Sequence, residues 1–126
     1  MSLETPLHKV KDLGPSHSGV NHFWRQRVSA VILIPLTLWF AVSALGLIGA
    51  HEASVLYFLS HPLNAVLMGT FILTGLYHMA LGLQEVIVDY VPHEGAKLLL
   101  MILNHGFAFA VAAACVFALL RIAVGT

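Results

Sequence analysis

Charge is what this sequence has least of: six Lys or Arg and six Asp or Glu make up 10% of its 126 residues, against roughly a quarter in soluble domains. The two signs cancel, which removes any general electrostatic reason to expect nucleic acid as a partner. Cysteine occurs once, at Cys115, between Ala112, Ala113, Ala114 and Val116. An internal disulfide is excluded, and the residue reads as a small packing side chain. Also missing are CxxC and HExxH ligand pairs and any glycine-rich phosphate loop, so no zinc, hydrolase or nucleotide site is displayed. There is no internal repeat, no low-complexity tract and no length for a second domain.

What is present is apolar, at 59% of the chain. Uncharged runs over 28–50, 62–84 and 98–120 are each long enough to cross a bilayer, which takes about 20 residues. The second continues as helix to residue 88. The sequence therefore predicts an all-α membrane protein with three transmembrane helices behind a polar leader over 1–27. The first run is too long for the apolar core of a signal peptide and begins after that leader, so it reads as retained. Pro35 predicts a kink within span one, since it removes a helical hydrogen bond. His51, Glu52, Ala53 and Ser54 open a connection holding a surface turn with Tyr57 and Phe58 at the interface. Pro62 suits the first turn of span two, and Pro92 and Gly95 mark the second connection. The leader itself shows too little apolar periodicity for a helix; a soluble partner orders it or it stays a disordered tail.

Lys9, Lys11, Arg25 and Arg27 precede span one, the first connection has no Lys or Arg, Lys97 lies in the second, and Arg121 follows span three. The positive-inside rule then places the N-terminus, Asp89, Tyr90 and Lys97 on the cytoplasmic or matrix side and the C-terminus outside.

Within span two, His78 is an ionisable side chain deep in an apolar run, which by default marks a functional site. His78, Gly82, Glu85 and Asp89 follow at offsets of four, three and four and share one helix stripe, predicted to face a protein interior. Two readings of His78 stay open on spacing alone: a hydrogen bond to a neighbouring helix, or axial ligation of a b-type haem. Gly75 and Gly82 likewise permit either close helix packing or approach of a flat macrocycle. A second ligand within the chain would be His105, which counting from the ends of the uncharged runs puts several ångströms shallower than His78. The other histidines fall in the leader and connections and read as solvated. Gln84 and Glu85 read as contacts to a companion chain. Phe23 and Trp24 suit the headgroup level, as does Tyr90 in the absence of other information.

The run His-x3-Gly-x6-Asp-Tyr-Val, from His78 to Val91, resembles the signature of the small hydrophobic membrane-anchor subunit of succinate dehydrogenase, the D subunit of respiratory complex II. The run Gly19-Val20-x2-Phe23-x3-Arg27-x2-Ala30 is similar to the approach to that family's first helix. The resemblance covers Gly19 to the end of span three. It implies a non-catalytic subunit of an oxidoreductase complex that, with a companion C-type anchor subunit, holds an iron-sulfur subunit and a flavoprotein subunit against the inner face of the membrane. It further implies that His78 is one axial ligand of a haem b shared with the companion, and that Arg27 lies near the haem propionates. Tyr90 would hydrogen-bond a carbonyl of ubiquinone or menaquinone, with Asp89 as its acidic neighbour. Two alternatives remain: a cofactor-free structural anchor, and a self-contained b-type cytochrome using His78 and His105. The lack of an Arg- and Ser-rich presequence favours a bacterial inner membrane over an imported mitochondrial precursor.

Overall fold

The computed structural model describes residues 17–125, with side chains from Gly19 onward. The basic residues of the leader's first half and its Pro6, Gly14 and Pro15 lie outside the described residues. The described chain is helical almost throughout: α1 (His17–Gly46), α2 (Glu52–Ser60), α3 (Pro62–Tyr90) and α4 (Glu94–Val124). Three of these helices are long and apolar enough to span a membrane. At 30, 29 and 31 residues they run to about 45 Å each, longer than the ~30 Å hydrocarbon layer, so their ends reach the headgroup region.

That excess length accounts for several differences from the sequence reading. Helix α1 begins well before the uncharged run and includes His22, Arg25, Gln26 and Arg27, because polar residues are tolerated where a helix passes through the interface. It ends at Gly46, and Gly49, at φ 78°, supplies the left-handed residue of the exit turn. α1 is one unbroken helical segment through Pro35. The first connection is a nine-residue helix, α2, and not a simple turn: His51 has the extended backbone of an N-cap and Glu52 favours the positive end of the helix dipole. Gly95, read as punctuation, lies inside the first turn of α4, and the second connection shrinks to residues 91–93 around Pro92.

Helix α3 is central. It packs against α1 on one flank and α4 on the other, while among the described residues the backbones of α1 and α4 make no close approach. α2 closes the far end against α3 and α4, and its Phe58 stacks on Trp39 of α1 with ring centroids 6.2 Å apart. Phe40 of α1 stacks on Phe71 of α3 at 4.8 Å. A row of three helices encloses almost nothing: among the described residues only Leu36, Ala80, Leu81, Ser29 and Asn104 are buried. Large apolar side chains such as Val31, Leu45, Ile102 and Phe109 face outward, as they must where lipid or another membrane subunit is the surrounding medium.

Two of the five buried residues are polar, and each fastens a flanking helix to α3. Ser29 Oγ lies 2.9 Å from His78 Nδ1, and Asn104 Nδ2 donates to the Ala80 carbonyl at 2.9 Å. Interhelical hydrogen bonds in membranes contribute about 0.6 kcal/mol on average and reach about 1.7. Asn104→Ala is expected to weaken the α3–α4 pairing by about that range. A denaturant titration of the detergent-solubilised protein checks it, with Ile102→Ala, on an outward face, leaving the midpoint unchanged.

Candidate functional site: a two-chambered cleft between α1 and α3

His78 sits twelve residues from the Tyr90 end of α3 and is half-buried against α1. Its imidazole borders two adjoining chambers. The first, of about 700 Å³, is polar: His22, Gln26 and Arg27 of α1 face Glu85 and His78 of α3. The second, of about 410 Å³, continues along α1 past Leu33, Ile34, Thr37 and Leu38 and is apolar. His78 and Ala30 line both, so the imidazole stands where the character of the cleft changes. Volumes of this size lie in the ~300–1,000 Å³ range of cofactor and ligand sites.

The polar chamber is built by helical periodicity on both walls. On α1, His22, Gln26 and Ser29 recur at spacings of four and three, and on α3 His78, Gly82 and Glu85 do the same. At Gly82 a Cβ would lie 3.5 Å from Gln26 Nε2, an ordinary van der Waals contact, and Gly75 has open space around it. Glu85 Oε1 approaches His22 Nε2 to 2.6 Å, with the imidazole 17% and the carboxylate side chain 55% exposed. That contact is an ion pair when the imidazole is protonated, and Gln26 Oε1 is buried without a hydrogen-bond partner. Buried polar atoms without partners are costly, and a polar group bound in this chamber would relieve that cost. Arg27 is exposed at the chamber wall, its guanidinium 5.2 Å from the Phe23 ring centroid.

The residues singled out from sequence thus fall into separate places. His78 and Arg27 share the cleft, with Glu85 at its mouth. Asp89 is exposed at the end of α3 beside Tyr90, whose side chain is 80% exposed. His105 is exposed on α4, and its Nδ1 lies 2.8 Å from the Met101 carbonyl one turn back. It falls eleven residues from the start of α4, so its depth nearly equals that of His78 and is not several ångströms shallower. The uncharged runs misled here because α3 and α4 extend beyond them by different amounts. What separates the two histidines is α3: His78 faces α1, and the backbones of α1 and α4 make no close approach among the described residues. Among the described residues no three His, Cys, Asp or Glu side chains converge as a metal site.

Sequence reasoning missed Ser29, Gln26 and the placement of His22. Their 4–3 spacing was a usable signal, but it is divided between the leader, which holds His22 and Gln26, and span one, which holds Ser29.

Comparison with known proteins agrees with a membrane-spanning chain. Residues 1–119 match the family model described as succinate dehydrogenase/fumarate reductase transmembrane subunit. The chain is 33% identical over 121 residues to a succinate dehydrogenase hydrophobic membrane anchor subunit of Paracoccus denitrificans, covering 96% of this chain and 93% of that protein. It is 30% identical over 112 residues to the same subunit of Rickettsia conorii, covering 88% and 89%. The Rickettsia bellii subunit is 34% identical over 83 residues, 66% of each chain. No solved structure gives a significant match. The chain belongs to the succinate dehydrogenase/fumarate reductase transmembrane subunit family, among its hydrophobic membrane anchors.

Proposed function

We propose that this anchor contributes one axial ligand, His78, to a haem b shared with a companion C-type anchor subunit, and that its Asp89–Tyr90 end forms part of a quinone site. The observation that carries the first half is the amphipathy of the cleft around His78. A haem has an apolar ring and two carboxylate-bearing propionates at one edge. The apolar chamber of Leu33, Ile34 and Leu38 suits the ring, and the polar chamber suits the propionates. There Arg27 offers bidentate donors, and the Gln26 amide, whose Oε1 has no hydrogen-bond partner, can present its NH2 by a half-turn. Bound there, the haem would supply a one-electron store in the middle of the membrane. With a single ligand on this chain, the second comes from the companion subunit.

At the Arg25–Arg27 end of the protein, Tyr90 projects from the last turn of α3 into the interface. A phenol keeps its proton at neutral pH and can donate to a quinone carbonyl as charge develops on the oxygen. Asp89, exposed beside it, is placed to orient the phenol or to pass protons from water. Reduction of either ubiquinone or menaquinone needs two of these protons. The same end carries the basic residues, which by the positive-inside rule makes it the face where the flavoprotein and iron-sulfur subunits dock. The relatives are bacterial, in keeping with a bacterial inner membrane as the location.

Two substitutions test this reading in the intact complex. His78→Ala is expected to lower the ratio of b-type haem to flavin at least tenfold, while His105→Ala leaves it unchanged. Haem retained in His78→Ala would mean a structural anchor without ligand role, and equal loss in both variants a self-contained cytochrome. Tyr90→Phe is expected to slow succinate:quinone reductase turnover tenfold or more, about 1.4 kcal/mol of transition-state stabilisation or above, with succinate oxidation by a soluble dye unaffected. Equal loss in both assays would remove the phenol from the quinone site.

A further inference from the structure

We propose that Ser29 is the positioning residue of His78: its hydroxyl fixes the imidazole in the tautomer whose Nε2 lone pair faces the cleft. The inference rests on the ligand role proposed for His78 and adds the group that makes that role possible.

Ser29 is 4% exposed, on α1, opposite His78 on α3. Its Oγ makes two contacts at hydrogen-bond distance: 3.0 Å to the Gln26 carbonyl oxygen and 2.9 Å to His78 Nδ1. A hydroxyl has one proton to give. The carbonyl can only accept, so that proton goes to Gln26, and the second contact is a hydrogen bond only if His78 Nδ1 carries a proton and donates it to Oγ. Both bonds together therefore require the Nδ1–H tautomer. In a neutral imidazole the other nitrogen, Nε2, is then bare and basic. The opposite tautomer would put a proton on Nε2 and block metal ligation.

The ring is also held in orientation. A serine back-bonded to the preceding turn of its own helix has little rotational freedom, so the acceptor that meets Nδ1 is fixed in space. Metal-bound histidines as a class donate their second ring N–H to such an acceptor, which sets ring orientation and raises ligand basicity. Here the acceptor comes from a different helix, so ligand geometry is tied to the docking of α1 on α3. Threonine can make the same back-bond.

The test uses the whole complex carrying Ser29→Ala, Ser29→Thr or His78→Ala, with flavin content as the measure of assembly. Haem retention is followed against a haem-scavenging apoprotein, and the haem midpoint potential by redox titration. Ser29→Ala is expected to weaken haem retention by about 10- to 100-fold. It should also raise the midpoint potential, because a less basic ligand stabilises ferric iron less. Ser29→Thr should restore both. Wild-type retention and potential in Ser29→Ala, while His78→Ala empties the site, would overturn the inference and leave the ligand reading standing. Equal loss in Ser29→Ala and Ser29→Thr would also overturn it, since the hydroxyl would then not be the operative group. Haem retained in His78→Ala would sink the ligand reading and this inference with it.

Discussion

In a bilayer a polar side chain finds its partner within protein or it costs several kcal/mol, and this constraint organises the molecule. Helix α3 meets it at one level. On one flank His78 is hydrogen-bonded to Ser29 of α1, and on the opposite flank the Ala80 carbonyl accepts from Asn104 of α4. Ala80 and Leu81, the buried apolar residues of α3, lie at the same level. The hydrophobic effect does little between helices surrounded by lipid, so these polar fastenings and the ring stacks at Phe40–Phe71 and Trp39–Phe58 fix how the row is assembled.

The cleft follows from that arrangement. Because α1 and α4 lie on opposite sides of α3 with no close backbone approach between them, the groove between α1 and α3 around His78 is not filled by the third helix. Its walls inherit the gradient of the membrane they cross: Arg27, His22 and Glu85 toward the interface, Leu33, Ile34 and Leu38 toward the centre. A chain that buries so little, in a family of membrane-anchor subunits, is built as part of a larger assembly. On the proposed reading, the open side of the cleft is where the companion anchor completes the haem site, and the exposed Tyr90 end is where the soluble subunits and the quinone converge.

The number and class of spans were legible in the sequence because hydropathy and charge depletion are the signals that a bilayer imposes. The lower bound of α1 was not, because the helix continues past the point where charge becomes tolerable and no breaker marks the change. α2 was hidden for the opposite reason: nine residues with ordinary interfacial composition look the same as a turn. His78 stood out as a lone ionisable group in an apolar run. Its partner Ser29 did not, since a serine near a span end is unremarkable until the facing helix is placed beside it. Glu85 read as a contact for another chain; within this chain it lies against His22, a contact the sequence did not display. The comparative depth of His78 and His105 could not be counted from run ends, which are set by charge, when the quantity needed was set by helix ends.

The most direct test is a density map of the assembled complex at a resolution that shows side chains. The expected result is a macrocycle in the α1–α3 cleft with its propionates on the Arg27 side, iron bonded to His78 Nε2, and His78 Nδ1 still on Ser29 Oγ. A cleft filled by side chains of the companion helix, with any haem held elsewhere, would contradict it.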